Sequence, residues 1–317
     1  MSLLPTGPFT TWPPVAQMGA VVLALLGAAT VACLLLRWRR PQQDWRELTA
    51  RIRSWWVMAA VFLAALGAGL TVAIVLFAAL SFWSLKEYVT LLATRPADHK
   101  ALFVAFLAIP VQYWLVYLGW YGMFIILVPV WMFLVLPVLL VLAADPRGFV
   151  ASVSQLHWGV MAFVFGLSHI AFLLRLTPRP EASFDGRGLI LFLVFVTEMS
   201  DVFQYVWGKL LGRHRILPVI SPNKTWEGFV GGVLSVTALA LPVRFLTPFS
   251  TAETLGVTLL VAVAGFCGGA VMSAVKRDFG VKDFGVAIPG HGGMIDRVDS
   301  LCFAAPVFFH YVRYVWS

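Results

Sequence analysis

The chain has 317 residues, 60% of them hydrophobic and only 12% charged, with a mean hydropathy of +0.87. A soluble domain carries about 25% charged residues, so this composition excludes a water-soluble fold and makes the bilayer the solvent. The formal charge is +8, but no nucleic-acid module accompanies it, so the excess of Lys and Arg is assigned to loops facing anionic headgroups rather than to nucleic acid.

The first apolar run, Val15–Leu36, has no basic segment before it and ends on Arg37, Arg39 and Arg40 without a small-residue cleavage site. It reads as a retained anchor rather than a signal peptide. Residues 1–51 are expected to form this anchor and a basic cytoplasmic loop, and residues 52–317 a second transmembrane unit. Arg37 to Arg53 contains six arginines, which fixes that loop on the cytoplasmic side. Ser54–Trp83 follows, 30 residues without a charge, about 45 Å as helix at ~1.5 Å per residue. That is too long for one ordinary crossing. Gly67 and Gly69, near its middle, suit a tight helical hairpin; a single tilted helix is the alternative.

The later runs are Ala101–Leu118, Trp120–Ala143, Trp158–Leu174, Gly188–Trp207, Phe229–Leu246, Leu255–Val275 and Ser300–Trp316. Each approaches the ~20 residues a spanning helix needs. Their continuous apolarity lacks the period-two alternation of a β-barrel. The predicted fold is all-α and polytopic, with nine or ten membrane segments. Parity decides sidedness: with the hairpin, Gly208–Thr225 and Lys276–Asp299 both face the cytoplasm. The first of these loops holds Lys209, Arg213, Arg215 and Lys224 and no acid, which favours the hairpin. Cys33, Cys267 and Cys302 form no CxxC pair and imply neither a disulfide framework nor a zinc site.

Chemistry-bearing residues concentrate in residues 273–299, with four Asp, two Lys, two Arg and one His among flexible glycines. Such a cluster between apolar spans is costly unless paired, metal-bound or open to water. Glycines let backbone N–H groups approach an anion, and Lys and Arg add charge, so the pattern suits phosphates. Asp296 and Asp299, three apart, share a face if the last helix begins there. They then suit a Mg2+ or, on the structural alternative, a capped helix start. Ser221 to Gly228 precedes the next span. Ser221 or Thr225 suits its N-cap and Glu227 its first turn, but capping does not explain Lys224. Asp201, preceded by Glu198, lies within an apolar span and is a functional candidate by default.

Taken together these residues resemble a known family. The run Ser273-x2-Lys276-Arg277-x4-Lys282-Asp283-x-Gly285-x2-Ile288-Pro289-Gly290-His291-Gly292-Gly293-x2-Asp296-Arg297-x-Asp299 resembles the signature of bacterial CDP-diacylglycerol synthases (phosphatidate cytidylyltransferases). Ser221-Pro-x-Lys224-Thr225-x-Glu227-Gly228 is similar to that family's second motif, Asp201 with Tyr205, Gly208 and Gly212 to its upstream helix end, and Lys86-Glu87-Tyr88 to a short element near its first spans. The likeness runs from about residue 52 to the C-terminus.

The resemblance implies cytidylyl transfer from CTP to phosphatidic acid, at the cytoplasmic face of a bacterial inner membrane. It implies a Mg2+ cofactor, with room for a second cation, and a homodimer. On this reading Asp296, Lys276, Arg277 and His291 are catalytic. Ser221, Lys224, Thr225, Ser273, Lys282, Asp283 and Arg297 bind substrate, and Asp296, Asp299 and Asp201 ligate metal. One departure stands out. The family places an Asp four residues before the serine of Ser-x2-Lys-Arg, and here that residue is Gly269. An Asp at this position is expected to reach a metal held by Asp296. A family-fold paralogue with another lipid phosphate or weakened catalysis is therefore the alternative reading; a transporter fits less well, since the polar residues do not occur in both halves.

Overall fold

The computed structural model describes residues 12–42, 44–180, 183–288, 290 and 292–317. Among them, nine helices are long and apolar enough to cross a membrane: α1 (Pro14–Arg39), α2 (Arg46–Ala68), α3 (Leu70–Leu91), α4 (Pro96–Leu118), α5 (Tyr121–Val141), α6 (Phe149–Arg175), α7 (Gly186–Leu211), α8 (Trp226–Leu246) and α9 (Thr251–Asp278). A four-residue turn of helix, α10 (Ile295–Val298), then leads into α11 (Leu301–Trp316). At ~1.5 Å per residue α11 reaches about 24 Å, shorter than the ~30 Å hydrocarbon core, so the expected run Ser300–Trp316 is a helix but is not one of the nine. Among the described residues the additions to the all-α expectation are a small antiparallel hairpin between α7 and α8, β1 (Arg215–Leu217) and β2 (Ser221–Thr225), and an isolated bridge between Ile288 and Gly292.

The long apolar stretch is a hairpin. Gly69 has φ 117° and ψ −179°, a conformation that a side chain disfavours, and it separates α2 from α3. Phe62 and Phe77, on opposite sides of that break, meet edge to face with ring centroids 6.3 Å apart. In a continuous helix they would stand about 22 Å apart. Gly67, the other candidate, is simply part of α2.

Several helices begin before the apolar runs that announce them. α2 starts at Arg46 rather than Ser54, and α6 at Phe149 rather than Trp158. Hydropathy marks only the hydrocarbon-depth part of a helix, whereas backbone hydrogen bonding continues through the headgroup zone. In α2 a Glu47–Arg51 pair one turn apart supports that extension. α5 and α6 each contain one π turn, at Leu127–Met132 and Met161–Gly166. Pro129 sits in the first, where its missing N–H displaces the hydrogen-bond ladder.

α6 is the most enclosed of the nine spans and α1 the least. Phe124, Phe163, Phe172, Phe192, Phe308 and Phe309 fill the centre, while Phe103, Trp114, Val138 and Leu234 face outward, as a lipid-facing belt requires. The alternation of helices sorts the connections into two sides. On one side Arg179 donates its N–H to the Trp316 carbonyl, and Tyr311 donates to Glu253. On the other side lie the described residues of the loop 279–300, the β-hairpin, the start of α2 and the end of α3, and with them the described chemistry-bearing residues.

Candidate functional site

Two buried carboxylates organise the loop between α9 and α11. Asp296, 9% exposed, accepts from Lys276 Nζ at 2.9 Å through Oδ1. Its Oδ2 accepts the backbone N–H groups of Phe284 and Gly293, at 3.0 and 2.9 Å. Both oxygens are thereby committed to protein donors, tying the end of α9 to both limbs of the loop. Glu87 reaches the same loop from α3. Its Oε1 accepts from the Met294 N–H at 2.9 Å and its Oε2 from the Ile295 N–H at 3.0 Å, satisfying orphan donors at the start of α10. The glycines explain how carboxylates come so close. A Cβ at Gly293 would lie 2.6 Å from Glu87 Oε2, and one at Gly292 (φ +80°) 2.8 Å from Asp296 Oδ2.

A second group is less saturated. Asp201, on α7, accepts from Ser300 Oγ at 2.7 Å through Oδ2, and Asp299 Oδ1 accepts from the Ser300 N–H at 2.7 Å. Asp201 Oδ1 and Asp299 Oδ2 accept no hydrogen bond among the described residues. Lys224 enters from the end of β2, with Nζ 3.4 Å from the Phe266 carbonyl oxygen and 4.5 Å from the centroid of that ring. Burial lowers the pKa of the Lys224 ammonium, while Asp201 and Asp299 act to raise it. Burial likewise pushes the Asp299 carboxyl above the usual carboxylate range, against the opposing influence of Lys276, Lys224 and Arg297. Among the described residues the buried Arg297 Nε has no hydrogen-bond partner, a costly arrangement for a guanidinium unless a ligand completes it.

The other expected site residues frame this cluster. Thr225 Oγ1 accepts the Gly228 N–H at 3.1 Å and N-caps α8. Ser221 opens β2 opposite Leu217. Arg277 Nε donates to the Ile220 carbonyl at 3.2 Å, holding the hairpin tip against α9. Ser273 donates to the Gly269 carbonyl one turn back in its own helix, at 2.7 Å. Lys282 and Asp283 are exposed on the loop. His291 lies outside the described residues.

The sequence profile of the cytidylyltransferase family matches residues 49–315. The chain belongs to that family. It is 42% identical over 297 residues to YnbB of Escherichia coli strain K12, itself uncharacterized, covering 93% of this chain and 97% of that protein. It is 41% identical over 129 residues to a phosphatidate cytidylyltransferase of Staphylococcus aureus strain COL, 40% of this chain and 50% of that one. A Staphylococcus saprophyticus protein of the same name is 42% identical over the same length. The chain thus aligns with about half the length of these staphylococcal cytidylyltransferases.

Within this membrane cytidylyltransferase, Gly269 occupies a telling position. A Cβ there would stand 3.0 Å from Lys224 Nζ, 3.5 Å from Ser300 Oγ and 3.9 Å from Asp299 Oδ2. Position 269 therefore faces the second carboxylate group and its lysine first, rather than the Asp296 clamp. Glu87 stood in the sequence only as part of a short resembling element. Its signal was a carboxylate at the end of an apolar run, matched by glycines some 200 residues later that leave room for it.

Proposed function

We propose that this cytidylyltransferase joins CTP to phosphatidic acid, giving CDP-diacylglycerol and pyrophosphate, with its site on the cytoplasmic side of the membrane. The observation that carries the reading is the half-satisfied cluster of Lys224, Arg297, Asp201 and Asp299 at the membrane-side end of the loop 279–300. A lipid phosphomonoester has a second pKa of about 6, so it is already largely dianionic at pH 7 and needs no strong base. One of its oxygens attacks the α-phosphorus of CTP, the bond from that phosphorus to the oxygen bridging the β-phosphate breaks, and pyrophosphate departs with that electron pair. The obstacle is repulsion between two anions, so the protein's task is positioning and charge neutralisation.

Lys224 and Arg297 are the groups placed to take phosphate oxygens, and Lys276 is held beside them by Asp296. The donor set also bears on magnesium. Among the described residues, no three His, Cys, Asp or Glu side chains converge as a ready cage. Magnesium usually takes only one or two carboxylates and completes its shell with water and phosphate oxygens. Asp201 and Asp299, each with one uncommitted oxygen, fit that role; Asp296, with both oxygens engaged, does not in this arrangement. The cluster's two carboxylates (Asp201, Asp299) and two cations (Lys224, Arg297) sum to a formal −2 + 2 = 0, so the negative charge of a triphosphate would arrive there without an offset. Magnesium held there would offset that charge and draw electron density from the phosphorus under attack.

The test is incorporation of labelled CTP into the lipid phase by the purified chain, supplied with phosphatidic acid and Mg2+. Magnesium-dependent incorporation with release of pyrophosphate is expected. A folded protein inactive with every phosphatidic acid offered would overturn the substrate assignment. Gly269 favours one second reading, a paralogue that takes another lipid phosphate, and the same assay with other lipid phosphomonoesters separates the two.

A further inference from the structure

A second basic site lies outside the cluster, in the segment that largely precedes the family match. Where α1 meets α2, an open cleft of about 690 Å3 is lined by Arg37, Pro41, Asp44, Trp45, Arg46, Thr49, Ala50 and Arg53. None of its three guanidinium groups has a carboxylate within ion-pair distance among the described residues. The one acid, Asp44, is partly occupied by the Arg46 N–H, which donates to Oδ1 at 2.9 Å. Three cations and one anion leave a formal +3 − 1 = +2 in the cleft. Forked guanidinium donors suit phosphate oxygens, and the volume suits a small headgroup.

The surroundings indicate the source of the phosphate. Leu34, Leu35 and Leu36, directly before Arg37, are 58%, 53% and 42% exposed on the least enclosed of the nine spans. Acyl chains can lie around this exposed end of α1 while a phosphate sits in the cleft, an arrangement that a soluble anion does not exploit. The cleft also abuts the loop of the first site. A Cβ at Gly290 would lie 3.1 Å from Arg51 Cγ and 3.5 Å from Ala50 Cβ.

We infer that this cleft binds the phosphate headgroup of an anionic lipid, at a site separate from the cluster around Lys224. The probe is phosphatidylglycerol, a phosphodiester, so the result is independent of the proposed reaction. Lipid retained by the full chain in detergent is counted by native mass spectrometry, with phosphatidylcholine and inorganic phosphate as the other arms. The combined Arg37→Gln, Arg46→Gln and Arg53→Gln variant is compared with a charge-matched control, Lys100→Gln, Arg147→Gln and Lys209→Gln. At roughly fivefold per arginine, the cleft variant should lose on the order of 100-fold in phosphatidylglycerol affinity, with a much smaller loss in the control. Arg46→Gln alone, losing about fivefold, serves if the triple variant fails to fold. Equal losses in cleft variant and control would reduce the effect to diffuse surface charge and overturn the site. So would preference of the wild type for inorganic phosphate or phosphatidylcholine.

Discussion

Asp296 and Asp299 stand three residues apart in one motif, yet the fold gives them opposite surroundings. Asp296 is saturated, with a lysine on one oxygen and two backbone N–H groups on the other. Asp299 has one short contact to the N–H of its own neighbour and an oxygen left over. A saturated buried carboxylate fixes structure, because its removal strands the donors that faced it. An under-satisfied one is available for a ligand. The same contrast separates Glu87, which holds the start of α10, from Asp201, which shares Ser300 with Asp299. Residue type and spacing do not distinguish these tasks; the partners do.

The contrast can be broken by substitution. Asp299→Asn should leave the thermal unfolding midpoint unchanged and lower CTP turnover by about 10²–10³-fold, the usual loss when a group poised on the reacting phosphates is removed. A matching fall in the midpoint would place Asp299 with the structural carboxylates. Asp296→Asn should do the reverse first. It breaks a buried pair and costs about 3 kcal/mol of stability, visible as an earlier melt in detergent; an unchanged melt with lost turnover would make Asp296 a ligand after all.

Smaller effects sharpen the picture. Glu87→Gln keeps the shape but weakens two charge-assisted bonds. It should cost about 1–3 kcal/mol and speed amide exchange at residues 293–296; protection that stays at the wild-type level would remove Glu87 from the clamp. Gly269→Asp adds a carboxylate beside Asp299 after a small shift of the flexible Lys224 tip, and should tighten Mg2+ dependence about tenfold, read by titrating turnover. Unchanged Mg2+ dependence would mean that the new acid simply pairs with Lys224. Asp278→Asn, at the exposed end of α9, should change stability by less than about 0.5 kcal/mol, and a larger change would show that burial and partners do not sort these carboxylates.

Much of the fold was legible in the sequence because hydrocarbon solvent imposes a simple rule of length and apolarity. The hairpin at Gly69 followed from an overlong run and from loop charge, and the nine long apolar helices from the runs themselves. The cluster was legible as composition, four Asp among basic residues and glycines, and Asp201 as a carboxylate inside a span. Its internal division was not. Whether Thr225 caps a helix or touches a substrate, and whether Ser273 turns back on Gly269, depends on backbone placement that spacing does not encode. Glu87 was hardest to see, since its partners lie 207 and 208 residues away and no local rule joins α3 to α10.

That separation has a consequence for how the protein is made. At ~5–20 residues per second, a ribosome needs about 10–40 s to travel from Glu87 to Met294, 207 residues later. During that interval α3 is already synthesised, while the donors that will meet its carboxylate do not yet exist. Glu87 must wait in the headgroup zone, where water can hold its charge, and the pocket closes only when nearly the whole chain has emerged. A nascent chain arrested before residue 283 should therefore leave position 87 open to aqueous modification in a Glu87→Cys variant, and release of the arrest should bury it.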